Sequence, residues 1–255
     1  MDFLQAFVLS LVEGVTEFLP ISSTGHMILA AKLLSVSQTD FAKTFEIAIQ
    51  LGSILSVIFL YGSRFLKRVE ELKRVIWVFV PTGILGFLLY KLIKSFLLGN
   101  LILTVLALLI GGVAIIFIEK YFKKYEGRGK ISDLSFKNAL LLGVIQTLSV
   151  IPGVSRSATT IFGGMFFGLS REAATELSFM VALPVMVGAT TLDLIKSFKN
   201  IQGSQIEILI FGMVISFFAA TLAIRWLLKF IKTHDFIYFG IYRIIVALLF
   251  LLFIR

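Results

Sequence analysis

The stretch EGVTEFLPISSTGH, Glu13–His26, has a counterpart farther along the chain in QTLSVIPGVSRSATT, Gln146–Thr160. Each opens with polar side chains on an apolar, helix-like run. Each breaks at a proline, Pro20 or Pro152, and resumes as a hydroxyl-rich segment that re-enters apolar sequence. Carboxylates, a histidine, an arginine and several hydroxyls inside apolar segments are expensive in a bilayer and mark a site of function. How the pair is read depends on whether a bilayer surrounds it.

Composition says that it does. Of 255 residues 58% are hydrophobic and 26 are Phe, and the mean hydropathy is +0.99, far above globular usage. No long polar stretch offers a separate soluble unit, so residues 1–255 read as one integral membrane domain. The N-terminus lacks a basic segment, and Asp2, Glu13 and Glu17 interrupt its apolar run, so it is not expected to be a secretory signal. The absence of Cys excludes disulfides, thiolate metal sites and a cysteine nucleophile. The net charge of +9 suits cytoplasmic loops of a polytopic protein, and no nucleic-acid partner is expected.

The fold class predicted is all-α and polytopic. Phe41–Tyr61, Val75–Lys94, Leu101–Ile118, Glu172–Ile195, Ile206–Trp226 and Phe236–Ile254 are each long enough to cross, giving about six spans of roughly 20 residues. Basic residues cluster after the first (Arg64, Lys67, Arg68, Lys73, Arg74), the third (Lys120, Lys123, Lys124, Arg128, Lys130) and the fifth (Arg225, Lys229, Lys232). The loop Ser95–Asn100 carries no charge and Ser197–Gln205 only Lys199. The three basic loops are therefore assigned to the cytoplasm.

Met1–Ser35 and Ser132–Gly168 remain. On either side of its proline each is too short for a comfortable crossing, so each is expected to form a re-entrant helical hairpin, the first entering from outside and the second from inside. Irregular backbone at membrane depth needs protein or a wet cavity around it, which puts both turns inside the bundle. A shift of 133 residues places Glu13 on Gln146, Ser22 on Ser155 and Thr24 on Ser157. Each hairpin then precedes three spans, and the halves, about 1–120 and 132–255, form an inverted repeat with its site near the middle.

The polar residues can be weighed individually. Glu13 and Glu17, at i and i+4, share a helix face. Two such carboxylates repel at low dielectric and call for a cation or a proton, unless Glu17 lies at a wet helix end. Ser22 is a good N-cap for a helix running on through Ile28–Leu34. Capping explains one hydroxyl among Ser22, Ser23 and Thr24, not all three. Ser23 and His26, at i and i+3 and separated by Thr24 and Gly25, face the same way. The N–H groups of a helix start suit a phosphate.

In the second segment Gly153 permits a tight turn and Ser155 can cap. Arg156 must find a partner: either Glu13 or Glu17 in a structural bridge, or a substrate phosphate, which a guanidinium fork fits well. Ser157 and Thr160 follow on the same helix, and Gln146 is the neutral counterpart of Glu13, placed to orient a ligand. Glu46 and Gln50 could brace the site or line a cavity.

These motifs are similar to those of a known family. The chain resembles the undecaprenyl-diphosphate phosphatases, the bacitracin-resistance family of bacterial plasma membranes, over essentially its full length. The resemblance rests on Glu13-x-x-x-Glu17, the run Pro20 to His26, and Pro152-Gly153-Val154-Ser155-Arg156-Ser157-x-x-Thr160. It implies removal of the terminal phosphate from a C55 polyprenyl diphosphate, with a divalent cation, Mg²⁺ or Ca²⁺, at a site open to the outer face. The monophosphate formed carries cell-wall precursors. The chemistry such a reaction needs can be met by Ser23 as nucleophile, with His26 or else Glu17 taking its proton, and by Arg156 on the developing charge. Glu13 and Glu17 would hold the metal; Ser22, Thr24, Gly25, Gln146, Gly153, Ser155, Ser157 and Thr160 would bind the head group. Ser22, or a metal-activated water, is an alternative nucleophile.

A second class of function, a lipid-phosphate flippase, also uses inverted repeats and broken helices. A serine beside a base favours hydrolysis, because binding alone needs no such pair. Membrane lipids and the polyprenyl substrate are the expected partners. The oligomeric state is left open, with a homodimer one candidate.

Overall fold

The computed structural model describes residues 1–37, 39–92, 100–122, 127–197 and 203–253. Expectations that fall on residues 93–99, Lys123, Lys124, residues 198–202 and Ile254 lie outside them. Among the described residues ten α-helices follow one another: α1 (Phe3–Thr16), α2 (Ser23–Leu33), α3 (Asp40–Lys67), α4 (Val69–Leu92), α5 (Leu101–Phe122), α6 (Phe136–Gln146), α7 (Arg156–Phe166), α8 (Arg171–Ser197), α9 (Gly203–Phe230) and α10 (Ile237–Phe253). Short 3₁₀ turns occupy Ile131–Asp133 and Thr147–Val150.

Length separates two kinds of helix. Among the described residues, α3, α4, α5 and α9 contain apolar stretches of 25, 21, 21 and 26 residues, long enough to cross a membrane. In contrast, α1, α2, α6 and α7 have 14, 11, 11 and 11 residues. At about 1.5 Å per residue they reach roughly 16–21 Å, short of a bilayer core of about 30 Å. They pack in pairs, α1 on α2 and α6 on α7, each pair broken at its proline. That is the hairpin shape the sequence predicts. Asp2 starts α1 with a capping box: it accepts from the Gln5 N–H at 2.8 Å while its own N–H donates to the Gln5 side chain. Ser135 caps α6 in the simpler way, accepting from the Asn138 N–H at 3.1 Å.

The pairings between helices nearly repeat themselves. α1 packs on α9 as α6 packs on α4, and α3 on α9 as α8 on α4. α3 meets α8, and α5 meets α10. Exchanging α1–α5 for α6–α10 maps each of these pairings onto another or onto itself. The correspondence breaks near the hairpins, where α1 touches α3 but α7 lies along α8.

The basic segments gather at one end. Arg64, at the end of α3, pairs with Glu71 of α4 at 2.6 Å and Glu176 of α8 at 2.7 Å. Arg171 of α8 pairs with Glu119 of α5 at 2.7 Å, and the Phe236 N–H donates to the same carboxylate at 3.1 Å. Lys232, after α9, approaches Glu172 of α8 at 3.6 Å. After α5, Gly129 donates its N–H to the Gly168 carbonyl at 3.1 Å and accepts from the Ser170 N–H at 2.9 Å, so described residues of all three basic segments meet the start of α8 or the turn before it.

Phe18, Leu19 and Ile21 of the first break are buried, and Phe18 meets the ring of Phe179 edge-on at 5.5 Å. The outer faces are apolar as well: Phe59, Phe87, Phe117, Phe218 and Leu252 are all exposed. Large apolar side chains on both the inside and the outside are the mark of a helix bundle solvated by lipid.

Candidate active site

Both breaks end on the same backbone device. Ser22 has φ 72° and ψ 94°, and Ser155 has φ 80° and ψ 114°. L-residues seldom hold such angles outside functional sites. Each serine caps the helix that follows, accepting from the N–H of Gly25 at 3.4 Å and of Ala158 at 3.2 Å. The first helical residues are then Ser23 in one loop and Arg156 in the other. Both reach a single carboxylate, Ser23 from the same loop and Arg156 from across.

That carboxylate is Glu17. Ser23 Oγ donates a hydrogen bond to its Oε2, and Arg156 Nη2 donates to its Oε1 at 3.2 Å. Arg156 Nη1 is held by the Ser178 carbonyl at 2.8 Å, while its Nε–H is buried without a partner. A second bond joins the loops directly, from Ser157 Oγ to the Leu19 carbonyl at 2.7 Å. The two tips therefore meet, and Arg156 does bridge to a glutamate.

Glu13 stands one helical turn before Glu17 and is 1% exposed, with Oε1 buried and lacking a hydrogen-bond partner. Among the described residues no group of three or more His, Asp and Glu is gathered as a metal site. The donors present are still of the right kind for a hard divalent cation. Mg²⁺ in phosphoryl-transfer sites takes one or two carboxylates and completes its shell with water and substrate oxygens. An unpartnered buried carboxylate oxygen beside a second carboxylate fits that pattern.

A cavity of about 790 Å³ opens from this point. Glu17, Ser22, Ser23, Thr24, Ser155 and Arg156 line its polar head, together with Gln50 of α3. Phe79, Ile84, Phe87 and Leu88 of α4 and Val185 and Met186 of α8 line the remainder. Those segments lie on the parts of α4 and α8 remote from the basic end; from Glu71 to Phe87 the helix advances roughly 24 Å.

The sequence candidates divide accordingly. Glu17, Ser22, Ser23, Thr24, Gly153, Ser155 and Arg156 line the cavity; Glu13, Gly25, His26, Gln146, Ser157 and Thr160 do not. Ser157 is used between the loops, and Thr160 Oγ1 donates back to the Arg156 carbonyl at 3.0 Å within α7. Gly25 packs where a Cβ would come within 3.2 Å of Leu108. Gln146 is fully buried, with neither end of its amide hydrogen-bonded. His26 turns away from Ser23: Nδ1 meets the Ser22 carbonyl at 2.8 Å and Nε2 the Tyr242 hydroxyl at 2.9 Å.

Two neighbours on α10 escaped the sequence reading. Tyr242 stacks on His26 with ring centroids 5.5 Å apart. Arg243 is fully buried and donates five hydrogen bonds, all to backbone carbonyls. They go to Pro20 (3.3 Å) in the first loop, to Gly153 (2.6 Å) and Val154 (3.2 Å) in the second, and to Ala107 (3.0 Å) and Leu108 (3.2 Å) of α5. Any side chain at Gly111 would collide with the guanidinium. Gly153 at φ 97° allows the tight turn that exposes its carbonyl to it. A signal was available: Arg243 is the lone charge in an otherwise apolar span.

A helical bundle with apolar faces inside and out, and two broken hairpins that bring charged groups together at its centre, defines a polytopic membrane protein with an internal polar site. The sequence carries the definition further, since residues 6–249 match the family described as bacitracin resistance protein BacA. The chain belongs to that family. It is 50% identical to the undecaprenyl-diphosphatase of Aquifex aeolicus (strain VF5), with 96% of each chain covered. The undecaprenyl-diphosphatase of Sulfurihydrogenibium sp. (strain YO3AOP1) is 51% identical over 99% of each. That of Persephonella marina (strain DSM 14350 / EX-H1) is 44% identical over the whole of both.

Proposed function

We propose that this chain is an integral membrane phosphatase. It hydrolyses undecaprenyl diphosphate to undecaprenyl phosphate and inorganic phosphate, returning the lipid carrier to cell-wall synthesis and removing the diphosphate that bacitracin binds. One observation carries the reading. A serine hydroxyl rests on a buried glutamate paired with an arginine, at the polar head of a cavity whose remaining walls are mostly apolar, with Thr82, Ser149 and Thr190 among them. A diphosphate on a prenyl chain has that same division.

The steps follow from the contacts. Ser23 Oγ attacks the terminal phosphorus as its proton passes to Glu17. The bond from that phosphorus to the bridging oxygen breaks, and prenyl monophosphate leaves with the electron pair. Arg156 and the N–H groups at the starts of α2 and α7 bear on the oxygens that gain charge. Water then attacks the phosphoserine, the phosphorus–Oγ bond breaks, and Ser23 recovers a proton from Glu17. Glu13 and Glu17 would hold a divalent cation, which when bound supplies charge neutralisation at the diphosphate. Thr24, Ser155 and Gln50 offer further polar contacts along the cavity head, and the prenyl chain lies along α4 and α8.

The orientation follows from charge. With the basic end in the cytoplasm of a bacterial plasma membrane, the cavity walls run outward and the site opens to the outer face. The self-mapping of the helix pairings and the twin serines support two halves related as an inverted repeat. Purified protein in detergent should release inorganic phosphate from undecaprenyl diphosphate. A chelator should abolish release, and added Mg²⁺ or Ca²⁺ should restore it. Phosphate release no faster than in a protein-free control would refute the assignment; full activity in chelator would remove the cation from it.

A further inference from the structure

His26 and Thr159 occupy equivalent positions, each four residues after a serine with positive φ. In the first loop the Ser22 carbonyl receives the His26 main-chain N–H at 3.2 Å and its ring Nδ1 at 2.8 Å. In the second, the Ser155 carbonyl receives the Thr159 main-chain N–H at 3.1 Å, and Thr159 Oγ1 shares its one hydrogen between that carbonyl at 3.2 Å and the Arg156 carbonyl at 2.9 Å. The second loop carries no nucleophile and has no proton to move from one. The side chain that folds back onto these carbonyls at the start of α7 therefore serves geometry alone.

The geometry points to the same task for His26. We infer that His26 is a positioning residue that locks the Ser22 backbone so that Ser23 is presented to Glu17, and that Tyr242 positions the ring. This rests on the phosphatase reading above and deepens it. A carbonyl only accepts, so Nδ1 carries a hydrogen; in the neutral ring Nε2 then accepts from Tyr242 at 2.9 Å. Both nitrogens are engaged, and the ring does not line the cavity that Ser22, Ser23 and Thr24 line. The Ser23 hydrogen is already directed at Glu17. Arg243, beside Tyr242 on α10, is spent on backbone carbonyls of both loops. Tyr242 and Arg243 thus hold the loops from one helix, Tyr242 acting through the histidine.

The test copies the second loop into the first. His26→Ala should lower kcat by about 10²-fold, the loss expected from a misplaced nucleophile. His26→Thr restores the Thr159 type of bond and should regain at least about tenfold of that loss, with a pH dependence of kcat parallel to that of the unmodified protein. A Thr variant no faster than the Ala variant would overturn the inference. Should either variant fail to fold, the unmodified protein decides. With ¹⁵N-labelled histidine, His26 should report the Nδ1–H tautomer in detergent and keep it when methylene diphosphonate is added. Only His234 competes in the spectrum, and His234→Ala removes it. A change of protonation or tautomer on adding the diphosphonate would make the ring a proton carrier instead. An unmodified protein that releases no phosphate defeats the phosphatase reading itself, whereas an active one with equal Ala and Thr variants defeats only this role for His26.

Discussion

The loops around Ser22 and Ser155 share a backbone and divide the chemistry. Each has a proline, a serine with positive φ whose side chain caps an 11-residue helix, and a residue four positions on that returns to the serine carbonyl. At the next position the first loop carries Ser23 and the second Arg156. Glu17 of the first loop corresponds to Val150 of the second, and Glu13 to Gln146. On the proposed mechanism, one of two like scaffolds carries the side chains for attack and the other the charge. The difference teaches that what is repeated here is a way of aiming the first residue of a helix at one point, and that the identity of this residue is free to vary.

The comparison breaks most decisively at Ser23. Ser23→Ala should lower phosphate release by about 10³-fold or more, and ³²P-labelled substrate should leave no label on the acid-quenched variant. Activity near that of the unmodified protein would transfer the nucleophile to Ser22 or to water. Arg156→Lys comes next, with a loss of about 10²-fold in kcat, because a point charge cannot keep hold of Glu17, the Ser178 carbonyl and a phosphate together. Retained turnover would reduce Arg156 to a structural bridge. The smallest effect is expected at Ser157, whose hydroxyl joins the loops and stays out of the cavity. Ser157→Ala should lower stability in detergent by about 1 kcal/mol, read as a modest fall in Tm, and leave kcat within about threefold. A much larger fall in kcat would put the hydroxyl on the substrate.

Much of this was legible from residue types. Two prolines with hydroxyls behind them located both breaks, and the distribution of basic residues singled out segments whose Arg64 and Lys232 meet acidic partners on α8. Glu17 and Arg156 stood out because ionisable groups are costly in apolar sequence, and Ser23 because capping explains one hydroxyl among Ser22, Ser23 and Thr24 and not all three. His26 was harder. Its i, i+3 spacing from Ser23 suggested a facing pair, yet the ring reaches back one turn to a carbonyl, and spacing does not distinguish the two. Thr160 was assigned to the head group, but its hydroxyl donates back along its own helix, as threonine often does in apolar surroundings. Tyr242 and Arg243 were hidden for another reason. Arg243 gave one signal, a lone charge in an apolar span, but its partners are main-chain carbonyls, which leave no pattern of side chains to find.

Arg243 also bears on motion. It belongs to the second half of the chain, yet it holds Pro20, Ala107 and Leu108 of the first half as well as Gly153 and Val154 of its own. It is a rivet through both halves, set where water cannot replace a broken bond. A carrier that exposes its cargo alternately to either side must rock one half against the other around the site, and here such rocking would strip several carbonyls from one buried cation. On the proposed function, the fastening that keeps Ser23 and Arg156 trained on a common point makes this molecule a fixed workbench and not a carrier.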